Sequence, residues 1–137
     1  MNRSDLCELF FLVIAFAIMF PLIFYVRRTL FGHYTGCSWL IFIWITRSAK
    51  DRDRIINHEK IHYRQQLEML FILHWMLYGW YYFHSRLKGL DHHRAYMNIP
   101  FEREAYTHEG DPKYLVTRAP FAWRKYAKSL PEGKYQK

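Results

Sequence analysis

The sequence predicts a mainly α-helical protein that is anchored in a membrane and carries one short strand. Three observations predict this fold class. An uncharged apolar segment near the amino terminus is long enough to form a membrane-spanning helix. A helix-compatible H-E-x-x-H motif lies in the middle of the chain, and a second apolar run rich in Trp and Tyr follows it. We therefore expect a membrane anchor at residues 1–30 and a membrane-associated domain at residues 31–137.

The predicted anchor helix covers residues 9–26, which contain no charged side chain and are followed by Arg27 and Arg28. Eighteen apolar residues can just cross a hydrocarbon core of about 30 Å, and Pro21 is expected to bend this helix without breaking it. A cleaved signal peptide is disfavoured because no A-x-A site follows the segment. The basic residues beyond the segment place the bulk of the chain on the cytoplasmic side.

Residues 39–46, with the sequence WLIFIWIT, are β-branched and aromatic and predict a strand. Two interpretations of this strand stand side by side. It is an edge strand that pairs with an extended substrate beside a metal site, or it is a half-buried hairpin or interfacial segment.

The H-E-x-x-H motif contains His58 and His62, which are four residues apart and therefore share one face of a helix. Two imidazoles at this spacing can bind one metal ion, and the neighbouring Glu59 is then placed to act as a general base. Gln65, one turn further on, orients a ligand, holds substrate or is solvated. The alternative is a structural pair, because eight histidines in the chain make a chance pair at this spacing less improbable.

The second apolar run covers residues 67–87, but its uncharged core, residues 69–83, is short for a membrane span. A spanning helix would also put the two histidines and Glu102 on opposite sides of the bilayer. We therefore expect this helix to lie in the membrane surface, or to dip in and return near Gly79, either continuous with the metal-binding helix or bent from it.

A short helix from about residue 100 is expected to supply the third metal ligand. On this helix Glu102 shares a face with the small Ala105, which allows close approach, whereas Glu104 points about 200° away. We therefore expect Glu102 to be the ligand. If the carboxylate assignment fails, the alternative ligands are His92 and His93.

The carboxy-terminal tail from Lys113 onward has seven Lys and Arg residues against one acidic residue, interleaved with aromatic side chains. The whole chain has a net charge of +8, and 20% of its residues are aromatic. This combination favours anionic membrane lipid as a partner. Nucleic acid is not expected, because the basic residues come with no nucleic-acid-binding motif.

The two motifs together resemble those of gluzincin-type zinc metallopeptidases, in particular membrane-bound peptidases whose third ligand is the first Glu of an E-x-x-A-D motif. The resemblance rests on His58-Glu59-x-x-His62 and on Glu102-x-x-Ala105. It implies Zn²⁺ held by His58, His62 and Glu102, with Glu59 as the catalytic base. One departure is that Tyr106 replaces the final Asp, so the hydrogen bond of that Asp to a ligand is missing unless the hydroxyl substitutes for it.

Three segments, INHEKIHYRQQLE, NIPFEREAY and PFAWRKY, are also similar to a group of small, uncharacterised bacterial membrane proteins. This likeness implies a location at the bacterial inner membrane. The expected function is that of a membrane-bound zinc hydrolase, with a peptide or a membrane protein as substrate or partner. The alternatives are a non-catalytic zinc subunit or assembly factor of a membrane complex, and a hydrolase of lipids or amides. The candidate oxyanion-stabilising residues are Tyr106, Tyr96 and His93.

Overall fold

The structure is a computed structural model that describes residues 2–27 and 35–128. Within these residues the chain is mainly helical and contains a small three-stranded sheet. The elements in chain order are α1 (Arg3–Met19), β1 (Leu22–Val26), β2 (Gly36–Trp39), β3 (Phe42–Thr46), α2 (Arg52–Glu68), α3 (Ile72–Leu87), α4 (His92–Met97), α5 (Pro100–His108), α6 (Tyr114–Thr117) and a 3₁₀ helix (Ala122–Tyr126).

The predicted membrane-spanning helix over residues 9–26 is wrong. Helix α1 ends at Met19, before Pro21, and residues 22–26 form β1, which pairs with β3 in parallel. The proline has no backbone N–H and its ring restricts the preceding residue, so the helix stops there. The following LIFYV sequence has the β-branched and aromatic composition of a strand, and β3 satisfies its backbone groups.

Strands β1 and β3, which pair with each other, lie on either side of the boundary predicted at residue 30, and the division into two domains stays a prediction. Of the helices in the described part of the chain, none is both long enough and apolar enough to cross a bilayer. The cytoplasmic orientation was argued from the anchor, and it stays a prediction. Arg28 lies outside the described residues.

The predicted strand over residues 39–46 is interrupted. The chain turns at Leu40 and Ile41, so that β2 and β3 form an antiparallel hairpin with Trp39 opposite Phe42. Leu40 has a positive φ of 53°, and its N–H donates to the side-chain oxygen of Gln66 at 3.1 Å. This long-range hydrogen bond holds a turn that no glycine or asparagine marks in the sequence. The sheet order is β1-β3-β2, which leaves β2 at an edge.

Helix α2 carries the H-E-x-x-H motif and is separated from α3 by a sharp break. Leu70 and Phe71 both have positive φ angles, 49° and 60°, which the helical hydrogen-bond pattern cannot accommodate. The apolar run is therefore bent from helix α2, not continuous with it. Helix α3 runs unbroken through Gly79, so the expected return at this residue is not seen.

Two hydrophobic clusters hold these elements together. One contains Ile43 and Ile45 of β3, against which Ile55 and Ile56 of α2 pack. In the other, Phe101 at the start of α5 is fully buried among aromatic side chains of α3 and Trp123. The clusters fix α2 between the sheet on one side and α5 on the other.

The described part of the tail folds back onto this core. Trp123 is buried, and its ring centroid lies 4.8 Å from that of Phe101. Arg103 on α5 donates to the carbonyl groups of Tyr126 and Lys128. Residues 113–128 are therefore part of the packed structure. The remainder of the predicted lipid-binding strap, residues 129–137, lies outside the described residues.

Candidate metal site and its cavity

Three donor atoms converge where α2 meets α5. The Nε2 atoms of His58 and His62 are 3.0 Å apart. Oε2 of Glu102 lies 3.4 Å from Nε2 of His58, and Oε1 lies 3.3 Å from Nε2 of His62. All three side chains are buried, and together they form a group that could hold a metal ion.

The size of this triangle fits a small tetrahedral metal ion. Donor atoms about 2.0–2.1 Å from an ion, at tetrahedral angles, lie about 3.3–3.4 Å from one another. The two imidazole nitrogens lie 3.0 Å apart, and each lies 3.3–3.4 Å from a different oxygen of Glu102, so the spacing of the three groups is close to these values. No large rearrangement of His58, His62 or Glu102 is needed for an ion to be bound.

The outer nitrogen of His58 is hydrogen-bonded to a carboxylate. Its Nδ1 lies 2.8 Å from Oε2 of Glu109, and Oε1 of the same carboxylate accepts a hydrogen bond from Nε of Arg54 at 2.7 Å. Burial alone would raise the pKa of Glu109, but hydrogen bonds from His58 and Arg54 hold it below its ordinary value. The ionised carboxylate can only accept, so Nδ1 of His58 donates, and a metal ion that displaces the proton of Nε2 would bind at that nitrogen.

The outer nitrogen of His62 is fixed by an amide. Nδ1 of His62 lies 2.8 Å from Oε1 of Gln65. The Gln65 amide nitrogen donates at 3.1 Å both to the carbonyl oxygen of Phe101 and to Oε2 of Glu104. The amide oxygen must therefore accept from Nδ1, so Nε2 of His62 is the nitrogen that faces the site and would bind a metal ion in place of a proton.

Glu102 is held from the opposite side by two tyrosines. The hydroxyl of Tyr78 donates to Oε1 at 2.8 Å, and that of Tyr96 donates to Oε2 at 2.7 Å. Tyr106, which stands in place of the expected Asp, lies with its ring 4.6 Å from that of His58. Its hydroxyl is 3.4 Å from that of Tyr96, so its link to Glu102 is indirect.

The electrostatics of the triangle favour a bound cation. Burial alone would lower the pKa of His58, but hydrogen bonds to Glu102 and Glu109 outweigh it and raise this pKa to about 10. Burial alone would raise the pKa of Glu102, but the two imidazoles hold it well below its ordinary value. The site therefore holds a carboxylate anion that attracts positive charge at the point where the three donors meet.

Glu59 lies beside the triangle and is almost fully buried. Burial is the main cause that raises its pKa, and the nearby Glu102 raises it further, whereas His62 and His58 lower it. Gly36 of β2 packs directly on this carboxyl group, since a Cβ atom built on Gly36 would lie 2.6 Å from Oε1 of Glu59. The close approach of β2 to α2 therefore requires glycine.

Two adjoining cavities reach the site from opposite sides. The first has a volume of about 260 Å³ and is lined by Glu59, the three donors, β2 and the aromatic side chains of α3. The second has a volume of about 200 Å³ and is lined by polar residues that include Arg54 and Glu109. Both are lined by Gly36, His58, Glu59 and Tyr96.

The alternative ligands lie elsewhere. Glu104 is fully buried but faces away from the histidines, where it forms an ion pair with Arg118 and accepts from the hydroxyl of Tyr114 at 2.9 Å. His92 lies 2.9 Å from the hydroxyl of Tyr82, and the side chain of His93 is exposed. Neither histidine lines the two cavities.

Several side chains at the site were not identified from the sequence. Glu109 directly follows α5, and the neighbouring sequence does not distinguish it from an ordinary solvent-exposed acidic residue. His74 and Tyr78 lie one turn apart on α3 and both line the first cavity. The spacing of these two polar groups within an apolar run is a signal that could have been used.

The chain was compared with protein families, with curated proteins and with solved structures, and no match was found in any of the three. The likeness to gluzincins therefore stays a prediction from the motif residues.

Proposed function

We propose that this protein is a zinc-dependent metallopeptidase, with His58, His62 and Glu102 as metal ligands and Glu59 as the general base. The observation that carries the proposal is the triangle of donor atoms beside a buried carboxyl group in one cavity. Two imidazoles and one carboxylate are a donor set that catalytic zinc sites use. Structural zinc sites usually have four protein ligands, so the set of three supports catalysis.

Zinc, when bound, supplies Lewis acidity that polarises a carbonyl group and makes water a nucleophile at neutral pH. Glu59 accepts the proton of the attacking water and passes it to the departing amine. The raised pKa of Glu59 supports this role, because a base whose pKa is closer to neutral holds the transferred proton better. Tyr78 and Tyr96 keep Glu102 oriented through their hydrogen bonds.

The outer edge of β2 at Gly36 supports a peptide as the substrate. Thr46 donates its N–H to the carbonyl of Thr35 at 2.9 Å, so these residues form a hydrogen-bonded pair of the antiparallel ladder. The N–H and C=O of the next residue, Gly36, therefore point away from β3. An extended peptide can pair with this edge beside Glu59, and main-chain hydrogen bonds would hold it without regard to its side chains.

An exposed apolar face supports a membrane surface as the place of action. Large side chains on α3 recur at helical spacing and are more than half exposed; they are Ile72, Met76, Trp80, Phe83 and Leu87. Helix α1 carries a further exposed set at Leu6, Phe10, Phe11 and Leu12, of which Leu6 is the least exposed at 50%. Together with the net charge of +8, these faces fit a bilayer that contains anionic lipid.

The experiment that tests the proposed function combines metal content with turnover. We expect about one zinc per purified chain, lost in His62→Ala and Glu102→Ala. The exposed His84 on α3 gives a matched control, and His84→Ala should keep its zinc. Hydrolysis would be followed with a quenched-fluorescent peptide library.

Glu59→Gln separates an enzyme from a structural zinc protein. In a peptidase this change keeps the zinc and lowers turnover by about 10²–10⁴-fold, the usual contribution of general base catalysis. A non-catalytic zinc subunit would bind zinc but would cleave no peptide, whether or not Glu59 is changed. A wild-type chain without zinc, or one that hydrolyses nothing with zinc bound, would disprove the proposal.

A further inference from the structure

We infer that His74 is a catalytic residue of the proposed hydrolase, which donates a hydrogen bond to the substrate oxygen as water adds to the carbonyl carbon. This inference rests on the proposed function, and it assigns the oxyanion-stabilising role for which the sequence offered only Tyr106, Tyr96 and His93. The geometry of the cavity points to a different residue, one turn from Tyr78 on α3.

The first observation is that His74 is buried at the cavity without a full set of partners. Its side chain is 1% exposed, lines the cavity that contains Glu59 and the three metal-binding side chains, and has no hydrogen-bond partner for Nδ1 within the described residues. A buried polar atom left unpaired costs about 1–3 kcal/mol. Such an atom in a cavity is accounted for when a bound molecule is its partner.

The second observation is that the same wall carries another unpaired donor. Nε1 of Trp75 is buried without a partner, and Trp75 lines the same cavity. In the described part of the chain four side-chain atoms are buried and unpaired, and two of them, on His74 and Trp75, belong to this wall. Their clustering in the cavity that Glu59 and the three candidate ligands also line indicates a place for a polar group of a ligand.

The third observation is that the imidazole is held rigidly. The ring centroid of His74 lies 4.5 Å from that of Phe101 and 5.3 Å from that of Trp75. Phe101 directly precedes the ligand Glu102, so the imidazole and the metal-binding triangle are positioned by the same packed cluster. Rigid donors need no reorganisation when charge develops on a substrate.

The protonation state fits a neutral donor. Burial lowers the pKa of His74 to about 3, with a further lowering by His62 and an opposing effect of Glu102. The imidazole is therefore neutral at ordinary pH and carries one N–H. His74 is not one of the described residues whose donor atoms converge within 4.8 Å, so its place is beside the substrate and not on the metal.

The two tyrosine hydroxyls of the cavity are already engaged. The hydroxyls of Tyr78 and Tyr96 donate to Glu102.

In the proposed step the water oxygen bonds to the carbonyl carbon, the π electrons move onto the carbonyl oxygen, and Glu59 takes the water proton. A lone pair of the negative oxygen then re-forms the C=O bond as the C–N bond breaks, the C–N electron pair leaves with the amine, and Glu59 returns the proton to that amine. His74 keeps its own proton and stabilises the negative oxygen until the C=O bond re-forms.

The test uses the full zinc-loaded chain with His74→Phe, which keeps a flat ring against Phe101, and His74→Gln, which keeps a donor. The matched control is His84→Phe on the exposed side of α3. Three properties are measured: zinc per chain, kcat and KM on a quenched-fluorescent peptide library, and the Kd of two probes. One probe is an N-phosphoryl dipeptide with a tetrahedral oxyanion, and the other is a thiol dipeptide that needs only the metal.

We expect the His74→Phe variant to keep its zinc. Its kcat should fall by about 100-fold with KM little changed, and its Kd for the phosphoryl probe should rise by a similar factor. Binding of the thiol probe should stay within about threefold, and His74→Gln should recover part of kcat. Loss of zinc, equal weakening of both probes or an unchanged kcat would overturn the inference. A wild-type chain that binds zinc and cleaves no peptide would instead remove the proposed function, and the ratio of the two probe affinities in His74→Phe would still decide the role of His74.

Discussion

At the scale of single residues, the hydrogen bonds of Gln65 decide how His62 faces the metal site. Its amide nitrogen is used by the Phe101 carbonyl and by Glu104, so its oxygen is left for Nδ1 of His62. Glu104 is itself neutralised by Arg118, whose guanidinium also pairs with Glu68. A continuous set of polar contacts thus runs from the buried arginine to the metal-binding imidazole.

Gln65→Leu tests this chain of contacts. The substitution removes the acceptor of His62 Nδ1, so the ring loses its fixed tautomer and orientation. We expect zinc affinity to fall about 10–100-fold, the usual effect of removing an outer partner of a metal-binding histidine. Zinc competition with a chromophoric chelator measures this affinity. Arg64→Leu, at an exposed position of the same helix, is the control. Equal affinities in the two variants would show that Gln65 does not position His62.

At the scale of elements, the contact between β2 and α2 builds the floor of the cavity. Gly36 meets Glu59 and Ile55, since its added Cβ would lie 2.6 Å from Oε1 and 2.7 Å from Cγ2 of these residues. Gln66 ties the other end of β2 through hydrogen bonds to the carbonyl and hydroxyl of Ser38. The contacts of Gly36 and Gln66 therefore hold the strand edge next to Glu59.

Gly36→Ala should disturb both stability and turnover. The methyl group overlaps Glu59 and Ile55, and relief of this overlap should cost about 1–3 kcal/mol in the free energy of unfolding. The displaced Glu59 should also lower kcat. Gly79→Ala is the matched control, because its Cβ would meet nothing within 4 Å in the middle of α3. There alanine should stabilise the helix by up to about 1 kcal/mol. Denaturant unfolding measures the free energy of unfolding of both variants. Similar effects of the two substitutions would contradict the close contact at Gly36.

At the scale of the whole molecule, the buried and exposed apolar residues divide the protein into a packed centre and an unpaired surface. The centre joins α5 and Trp123 to aromatic side chains of α3. The opposite face of α3 is exposed, with Trp80 at 61% and Phe83 at 57%. Helix α3 thus supplies cavity residues from one side and an apolar surface from the other, which would place a lipid-bound protein with its cavity close to the bilayer.

Trp80→Ser combined with Phe83→Ser tests the proposed membrane surface. Loss of two large apolar side chains should weaken binding to vesicles by about tenfold or more, since each contributes about 1.5–3 kcal/mol when buried. Co-sedimentation with vesicles that contain one-third phosphatidylglycerol measures the binding. Val116→Ser is the control, an exposed apolar residue on α6 away from this face. Failure of the wild-type chain to bind such vesicles would remove lipid as a partner.

The sequence could predict features whose cause is local. His58 and His62 lie side by side because residues four apart in a helix share a face, and Pro100 marks the first turn of α5 because proline is favoured there. The preference for Glu102 over Glu104 also follows from helical rotation, once a face is chosen. By itself the sequence therefore determined which side chains are candidate metal ligands and which is the candidate base, because both depend on the spacing of residues within one or two helical turns.

Tertiary structure decided everything that depends on a distant partner. Residues 22–26 form a strand because β3, about twenty residues further along the chain, pairs with them, whereas their apolarity alone equally fitted a membrane helix. Glu109 and His74 join the site only because α5 and α3 pack beside α2. The periodicity of a sequence reports which face of an element is buried but not which other element covers it, so contacts between elements had to be seen in the folded chain.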